Sequence, residues 1–181
     1  MRPRRFRDAT AFEAWLQKNH AKAGEVWLVI AKKGERGLSI GDALDVALCF
    51  GWIDGHRRSN DEASFLQRYS PRRPGSSWSK INVDKVAALT AAGRMRAAGM
   101  AQVEVAKADG RWAIAYVAQR DFVVPDDVRV ALEANPRAAS VFACESKSEQ
   151  FTRVLPVLKA VGATTRAARS SRLVVGLSRA P

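Results

Sequence analysis

Two strand-forming runs and the turn between them lie in Gly51-Trp-Ile-Asp-Gly-His-Arg-Arg-Ser-Asn-Asp-Glu-Ala-Ser-Phe-Leu-Gln-Arg-Tyr-Ser70. The first run begins at Gly51-Trp-Ile-Asp-Gly55, and Ala63 to Ser70 is its antiparallel return, because Ser59-Asn-Asp-Glu62 is rich in turn-forming residues. The β-branched and aromatic run from Glu25 to Lys33 predicts a further strand. These runs together predict a small, mainly antiparallel sheet.

Helices are predicted around these strands. Ser39 with Asp42 three residues later has N-cap spacing, and Thr10 with Glu13 predicts the start of an earlier helix in the same way. Beyond about residue 122 the apolar spacing is helical. We therefore predict an α+β fold, with the sheet and its covering helices in residues 1–122 and a C-terminal all-helical module in residues 123–181.

Composition and charge narrow the class of protein. The chain has 181 residues, of which 47% are hydrophobic and 27% are charged, which excludes collagen-like, low-complexity and wholly disordered classes. The net charge is +12, with four arginines and no acid in residues 1–7 and six bases and no acid in residues 150–181. We expect no membrane span, and the absence of an apolar signal core after the basic start predicts a cytoplasmic location.

The densest polar stretch is Arg68-Tyr-Ser-Pro-Arg-Arg-Pro-Gly-Ser-Ser-Trp-Ser-Lys-Ile-Asn82, which leads into a predicted helix. Guanidinium groups, hydroxyl groups and free helix amides are the parts of an anion site, and Asp54 in the preceding strand could orient an arginine or bind a ligand hydroxyl. The predicted ligand-binding residues are Trp52, Asp54, Arg68, Arg72, Ser76, Trp78, Ser79, Lys80 and Asn82. The alternative is structural: Ser77 or Ser79 caps the helix, Trp78 packs on it, and Asp54 bonds the following turn.

Signals for particular chemistry are weak. The two cysteines and two histidines have no metal or triad spacing, and the chain contains neither a P-loop nor Gly-x-Gly-x-x-Gly, so no cofactor or metal is expected. The preferred hypothesis is a non-enzymatic protein that binds an anionic small molecule or a protein partner. Two alternatives are an enzyme that uses Asp54 as acid or base, and a sequence-tolerant nucleic-acid binder that uses the basic termini.

A series of motifs runs along the chain: Trp15 with Asn19-His20, Val26-Trp27 with Lys32-Lys33, Ala47-Leu-Cys-Phe-Gly-Trp-Ile-Asp-Gly55, Arg68-Tyr-Ser-Pro-Arg72, Ser76-Ser-Trp-Ser-Lys80 with Asn82, Gly93-Arg-Met95, Gly99 and Asp109-Gly-Arg-Trp112. In this order they resemble the YdeI/OmpD-associated, or bacteriocin-protection, family. The later residues resemble the small helical module for which that family is named, although Ala160-Val161-Gly162 departs from its pattern. The resemblance implies a role in stress or in protection against bacteriocins or cationic peptides, and it implies no particular reaction.

Overall fold

The structure is a computed structural model that describes residues 2–179, so Met1, Ala180 and Pro181, which the predicted domain ranges include, lie outside the described residues. The chain forms two compact units. The first contains residues 2–76 and 84–106, and the second contains residues 77–83 and 107–179. The predicted domain boundary near residue 122 stays a prediction.

The first unit contains a three-stranded antiparallel sheet. Its strands are β1 (Val26–Ala31), β2 (Trp52–Ser59) and β3 (Ser64–Pro71), and their spatial order is β1-β3-β2. The hairpin of β2 and β3 puts the turn where the sequence predicts it, and β3 pairs on its other side with β1. The predicted small antiparallel sheet is confirmed.

The sheet has an inner face, which is buried, and an outer face. Along β1 the side chains of Val26, Leu28 and Ile30 are buried, and Gln67 and Tyr69 lie opposite Leu28 and Val26 on β3. Alternation along a strand requires this division, because successive side chains point to opposite faces. The inner face holds the core of this unit, to which Phe12 contributes through its contact with Tyr69.

Four helices accompany this sheet in the sequence: α1 (Ala9–Asn19), α2 (Ile40–Cys49), α3 (Lys80–Ala91) and α4 (Ala97–Ala108). The Ser39 cap is confirmed, because the Ser39 side chain accepts a hydrogen bond from the Asp42 amide. The Thr10 prediction is wrong. Helix α1 begins earlier, and the Asp8 side chain caps it by accepting from the Ala11 amide at 2.8 Å.

Helix α4 approaches the end of α2 unusually closely. Gly99 is buried on α4, and a Cβ added there would lie 2.7 Å from the Leu48 carbonyl oxygen and closer still to that of Cys49. The Arg96 amide donates to the Cys49 carbonyl oxygen at 3.1 Å. Only a residue without a side chain fits at position 99 without moving one of these helices.

The second unit is helical. After a short 3-10 helix, Gln119–Asp121, it contains α5 (Asp126–Glu133), α6 (Pro136–Cys144), α7 (Lys147–Leu158) and α8 (Ala163–Ser178). Val128, Val154, Val157 and Leu177 are fully buried in its apolar core. The predicted C-terminal helical module is confirmed. Within the described part of the chain, no helix has the length and apolar character needed to cross a membrane.

Candidate functional site

A β-bulge in β2 sets the geometry of the candidate site. Asp54 pairs with Tyr69 and Arg57 pairs with Gln67, so β2 advances one residue more than β3 between these two pairs. The buried Gln67 side chain stabilises the bulge by donating to the carbonyl oxygens of Gly55, at 2.8 Å, and His56, at 3.3 Å. Because Gln67 and Tyr69 both point to the inner face, their partners Asp54 and Arg57 lie on that same face.

Asp54 is an exposed carboxylate at the edge of this face. Its side chain forms no ion pair or hydrogen bond with another residue in the described part of the chain. Neighbouring protein atoms displace water from the carboxyl group and raise its pKa above the ordinary value, while the charges of Arg72 and Arg57 act in the opposite direction. Solvent screens much of this effect because the residue as a whole is accessible.

Tyr69 lies directly opposite Asp54 and is fully buried. Its ring packs against Phe12 with 5.9 Å between the ring centroids. Its hydroxyl oxygen has no hydrogen-bond partner among the residues that the structure describes. Burial raises the pKa of Tyr69, and the negative charge of Asp54 raises it further, so the phenol is neutral and can donate its proton.

Two arginines accompany this pair. The Arg57 Nε donates to the Gln67 Oε1 at 3.2 Å, and its guanidinium carbon lies 4.2 Å from the centroid of the Phe65 ring. Its two Nη groups donate to no residue between positions 2 and 179. Arg72 is 6% exposed, and its amide donates to the Gly51 carbonyl oxygen at 2.9 Å, which holds the end of β3 beside the start of β2.

Arg68 and Trp52 have other contacts. Arg68 lies on the outer face opposite Trp27, and its Nε bonds Glu25 Oε2 at 2.6 Å, which lowers the pKa of Glu25. Trp52 is 1% exposed and donates from its indole nitrogen to the His20 carbonyl oxygen at 3.2 Å. The structure therefore places the guanidinium of Arg68 on the opposite face of the sheet from Asp54.

The remaining predicted residues divide between the two units. Ser76 ends the first segment of the first unit, where its amide donates to the Arg73 carbonyl oxygen at 3.1 Å. Trp78, Ser79, Lys80 and Asn82 belong to the second unit. Of these, Trp78 is buried with its ring centroid 4.9 Å from that of Trp112.

The start of α3 already uses part of its donor capacity. The Lys80 amide donates to the Tyr116 carbonyl oxygen at 2.8 Å, and the Asn82 amide donates to the Ser79 hydroxyl at 3.3 Å. Ser79 therefore acts as a helix cap, which was the structural alternative at this position. The helix start offers an anion fewer free amides than an uncapped helix would.

The basic termini take part in the folded units. Arg4 pairs along the edge of β1, donating its amide to the Trp27 carbonyl at 2.8 Å and accepting from the Val29 amide at 2.9 Å. At the other end, Arg166 bonds both carboxylate oxygens of Asp127, at 2.6 and 2.7 Å, and Arg169 donates to the Pro156 carbonyl oxygen at 2.7 Å. The nucleic-acid alternative stays a prediction.

Sequence reasoning missed Arg57, Gln67 and Tyr69 as parts of one cluster. Period-two alternation could have placed Gln67 and Tyr69 on one face, apart from Arg68. The bulge that brings Arg57 to that face has no comparable signal, because it depends on how β2 pairs with β3. No group of three or more His, Cys, Asp or Glu side chains suited to a metal ion occurs within residues 2–179.

Comparison with known proteins gives two family matches. Residues 4–102 match the family model described as Domain of unknown function (DUF8412), and residues 121–179 match the one described as Bacteriocin-protection, YdeI or OmpD-Associated. The second match confirms the family resemblance seen in the sequence. Neither a curated protein nor a solved structure matches the chain. The chain thus belongs to the family described as Domain of unknown function (DUF8412) and carries a YdeI or OmpD-associated, bacteriocin-protection domain at residues 121–179.

Proposed function

We propose that this protein is a cytoplasmic, non-enzymatic stress or bacteriocin-protection protein that binds an anionic ligand beside Asp54. The observation that carries the proposal is a polar cluster of Asp54, Arg57 and Tyr69 on the inner face, with Arg72 near enough for its charge to act on Asp54. In this cluster the Asp54 carboxylate and the Tyr69 hydroxyl have no hydrogen-bond partner among the described side chains. The Tyr69 hydroxyl is buried, and leaving it unsatisfied costs free energy that a bound ligand would recover, whereas the exposed Asp54 carboxylate is open to a ligand in exchange for water.

Each group has a distinct part in recognition. The Arg57 guanidinium is oriented by Gln67 and Phe65, so it presents its two Nη groups to an oxyanion with little loss of side-chain entropy. Asp54 accepts a hydrogen bond from a ligand hydroxyl, because it is not engaged by either arginine in an ion pair. Tyr69 donates from its neutral phenol. The expected ligand class therefore combines an oxyanion with a hydroxyl group, as sugar phosphates and hydroxy acids do.

Variants of adjacent residues test the proposal. Purified wild type is titrated with inorganic phosphate, glucose 6-phosphate and citrate by calorimetry and thermal shift. For whichever of these anions binds, Arg57→Ala should raise the dissociation constant about 10- to 100-fold, the range expected for the loss of charge-assisted hydrogen bonds. Arg58→Ala is the matched control, since Arg58 lies over the Trp27 ring on the outer face at 4.6 Å. Equal losses in the two variants would show that the anion responds to general positive charge and would defeat the proposal.

Tyr69→Phe separates binding from packing. The substitution removes a hydroxyl that bonds nothing in the described structure, so thermal stability should stay the same or rise slightly. Ligand affinity should fall. A variant that loses stability and keeps full affinity would assign Tyr69 to the core alone.

Acid–base catalysis by Asp54 is a second candidate function. The raised pKa of this carboxyl group favours it, because groups with perturbed pKa values near cations are frequent in active sites. Asp54→Asn distinguishes the two functions: an enzyme keeps ligand binding and loses turnover, whereas a binding protein turns over no ligand in either form.

A further inference from the structure

A cleft of about 240 Å³ opens beside β1 and is lined by Val29 and Ala31, whose side chains point to the outer face, opposite the face of the Asp54 cluster. Three arginines line it, Arg5, Arg7 and Arg36. Its apolar lining includes Phe6, Val29 and Ala31. We call it the outer-face cleft. It combines cationic side chains with an apolar surface, which is the pattern of a small-molecule site.

Backbone pairing fixes the position of the lining residues. Arg4 bonds β1 through both its amide and its carbonyl, so the residues that follow it run alongside Val29. In such an extended segment Arg5 and Arg7 point to one face, because they are two residues apart. Further along the same edge of β1, the Ala31 amide donates to the Leu38 carbonyl oxygen at 3.0 Å and holds the loop that carries Arg36.

The acids near the cleft leave it positively charged. Arg7 bonds Asp8 at 2.9 Å, but Asp8 also caps α1 through its other oxygen. The charge of Arg5 contributes to the lowered pKa of Asp61, after the larger effects of hydrogen bonds to that carboxylate. The side chains of Arg5 and Arg36 form no ion pair or hydrogen bond with the described residues. Arg5 and Arg36 therefore keep their positive charges uncompensated beside the Arg7–Asp8 pair, and a bound anion would balance them.

We infer that the outer-face cleft binds a small organic oxyanion, a phosphate or carboxylate attached to a compact apolar group. The guanidinium groups of Arg5, Arg7 and Arg36 bind the oxyanion, since their planar forks match its geometry. The apolar group lies on Val29 and Ala31, where it removes half-buried apolar surface from water. This site is independent of the ligand proposed at Asp54.

The test is calorimetric titration with phenyl phosphate, benzoate and inorganic phosphate at about 0.15 M salt, where weak surface electrostatics are screened. Phenyl phosphate or benzoate should bind with saturation and more tightly than inorganic phosphate, and the tighter of the two identifies the oxyanion. Arg5→Ala and Arg36→Ala should each weaken that binding about tenfold. Ala31→Leu, which fills the cleft, should abolish it, provided that circular dichroism shows the variant folded. Arg36 lies in an exposed loop, so its variant tests the site without threatening the fold.

Two variants keep this inference separate from the proposed function. Arg58→Ala, on the same face outside the cleft, should bind phenyl phosphate as the wild type does. Loss of binding in Arg57→Ala with full binding in Arg36→Ala would locate the probe at the Asp54 cluster and overturn the cleft. Absence of saturable binding, or equal affinity for phenyl phosphate and inorganic phosphate, would also overturn it.

Discussion

Gly99→Ala should destabilise the first unit, although alanine is the better helix former. The new Cβ would lie 2.7 Å from the Leu48 carbonyl oxygen and 2.8 Å from the Cys49 carbonyl carbon, both backbone atoms that cannot rotate away. Helix α4 must therefore move from the end of α2 by about 1 Å to reach ordinary contact distances.

The cost follows from what this movement breaks. Overpacking of this kind costs about 1–3 kcal/mol. Stretching the Arg96 hydrogen bond to Cys49 adds about 1 kcal/mol, and the gain in helix propensity returns about 1 kcal/mol. We expect a net loss of about 1–3 kcal/mol in the free energy of unfolding.

Urea unfolding monitored by tryptophan fluorescence measures this loss, because Trp15, Trp27 and Trp52 all belong to the first unit. Gly176→Ala on α8 is the matched control. A Cβ there meets nothing within 4 Å, so the same substitution should be neutral or stabilising by up to about 1 kcal/mol. If Gly99→Ala leaves the unfolding midpoint of the first unit at the wild-type value, the close contact of α4 with α2 does not exist as described.

Three further changes test other parts of the molecule. Gln67→Leu removes the amide that bonds two carbonyls of the bulge, so urea titration should show a loss of about 1–3 kcal/mol; an unchanged midpoint would contradict the role of Gln67. Arg166→Ala should lower the stability of the second unit by about 1 kcal/mol, since its pair with Asp127 is partly exposed. Arg166 lowers the pKa of Asp127, so the stabilisation from this pair is present above the unfolded pKa of about 3.9 and is lost as the pH falls through the folded pKa. In melting curves recorded at several pH values, Arg166→Ala should therefore lose less stability on acidification than the wild type does. Sulfate, which does not titrate in the same range, should bind more tightly as the pH falls through the raised pKa of Asp54, because protonation removes a repelling negative charge. Calorimetry should show that Asp54→Asn removes this pH dependence.

Local signals in the sequence account for the parts of the fold that depend on neighbouring residues. The hairpin is such a case, because its turn residues and its alternating side chains lie within one short stretch. The cap of α1 shows the limit of the same reasoning. Asp8 and Thr10 are both good capping residues, and the choice between them depends on where Phe12 and Leu16 pack, which is a tertiary property.

The candidate site was harder to predict because it depends on register. Arg68 and Tyr69 are neighbours in one polar stretch, yet they point to opposite faces, and only Tyr69 shares a face with Asp54. The bulge after Asp54 then decides that Arg57 joins them and that Arg58 lies over Trp27. A shift of one residue in the pairing would exchange the two arginines.

Gln67 and Tyr69, two of the buried polar residues of β3, have different explanations. Gln67 satisfies the backbone of the bulge, so its presence in the core is explained by the fold itself. Tyr69 has no such partner for its hydroxyl, and phenylalanine would fill the same space against Phe12 without a buried oxygen to satisfy. Folding alone therefore explains the ring of Tyr69 and leaves its hydroxyl unexplained. That hydroxyl belongs to the residue paired with Asp54, an acid with a raised pKa, and the ligand proposed here would give it a hydrogen-bond partner that packing does not.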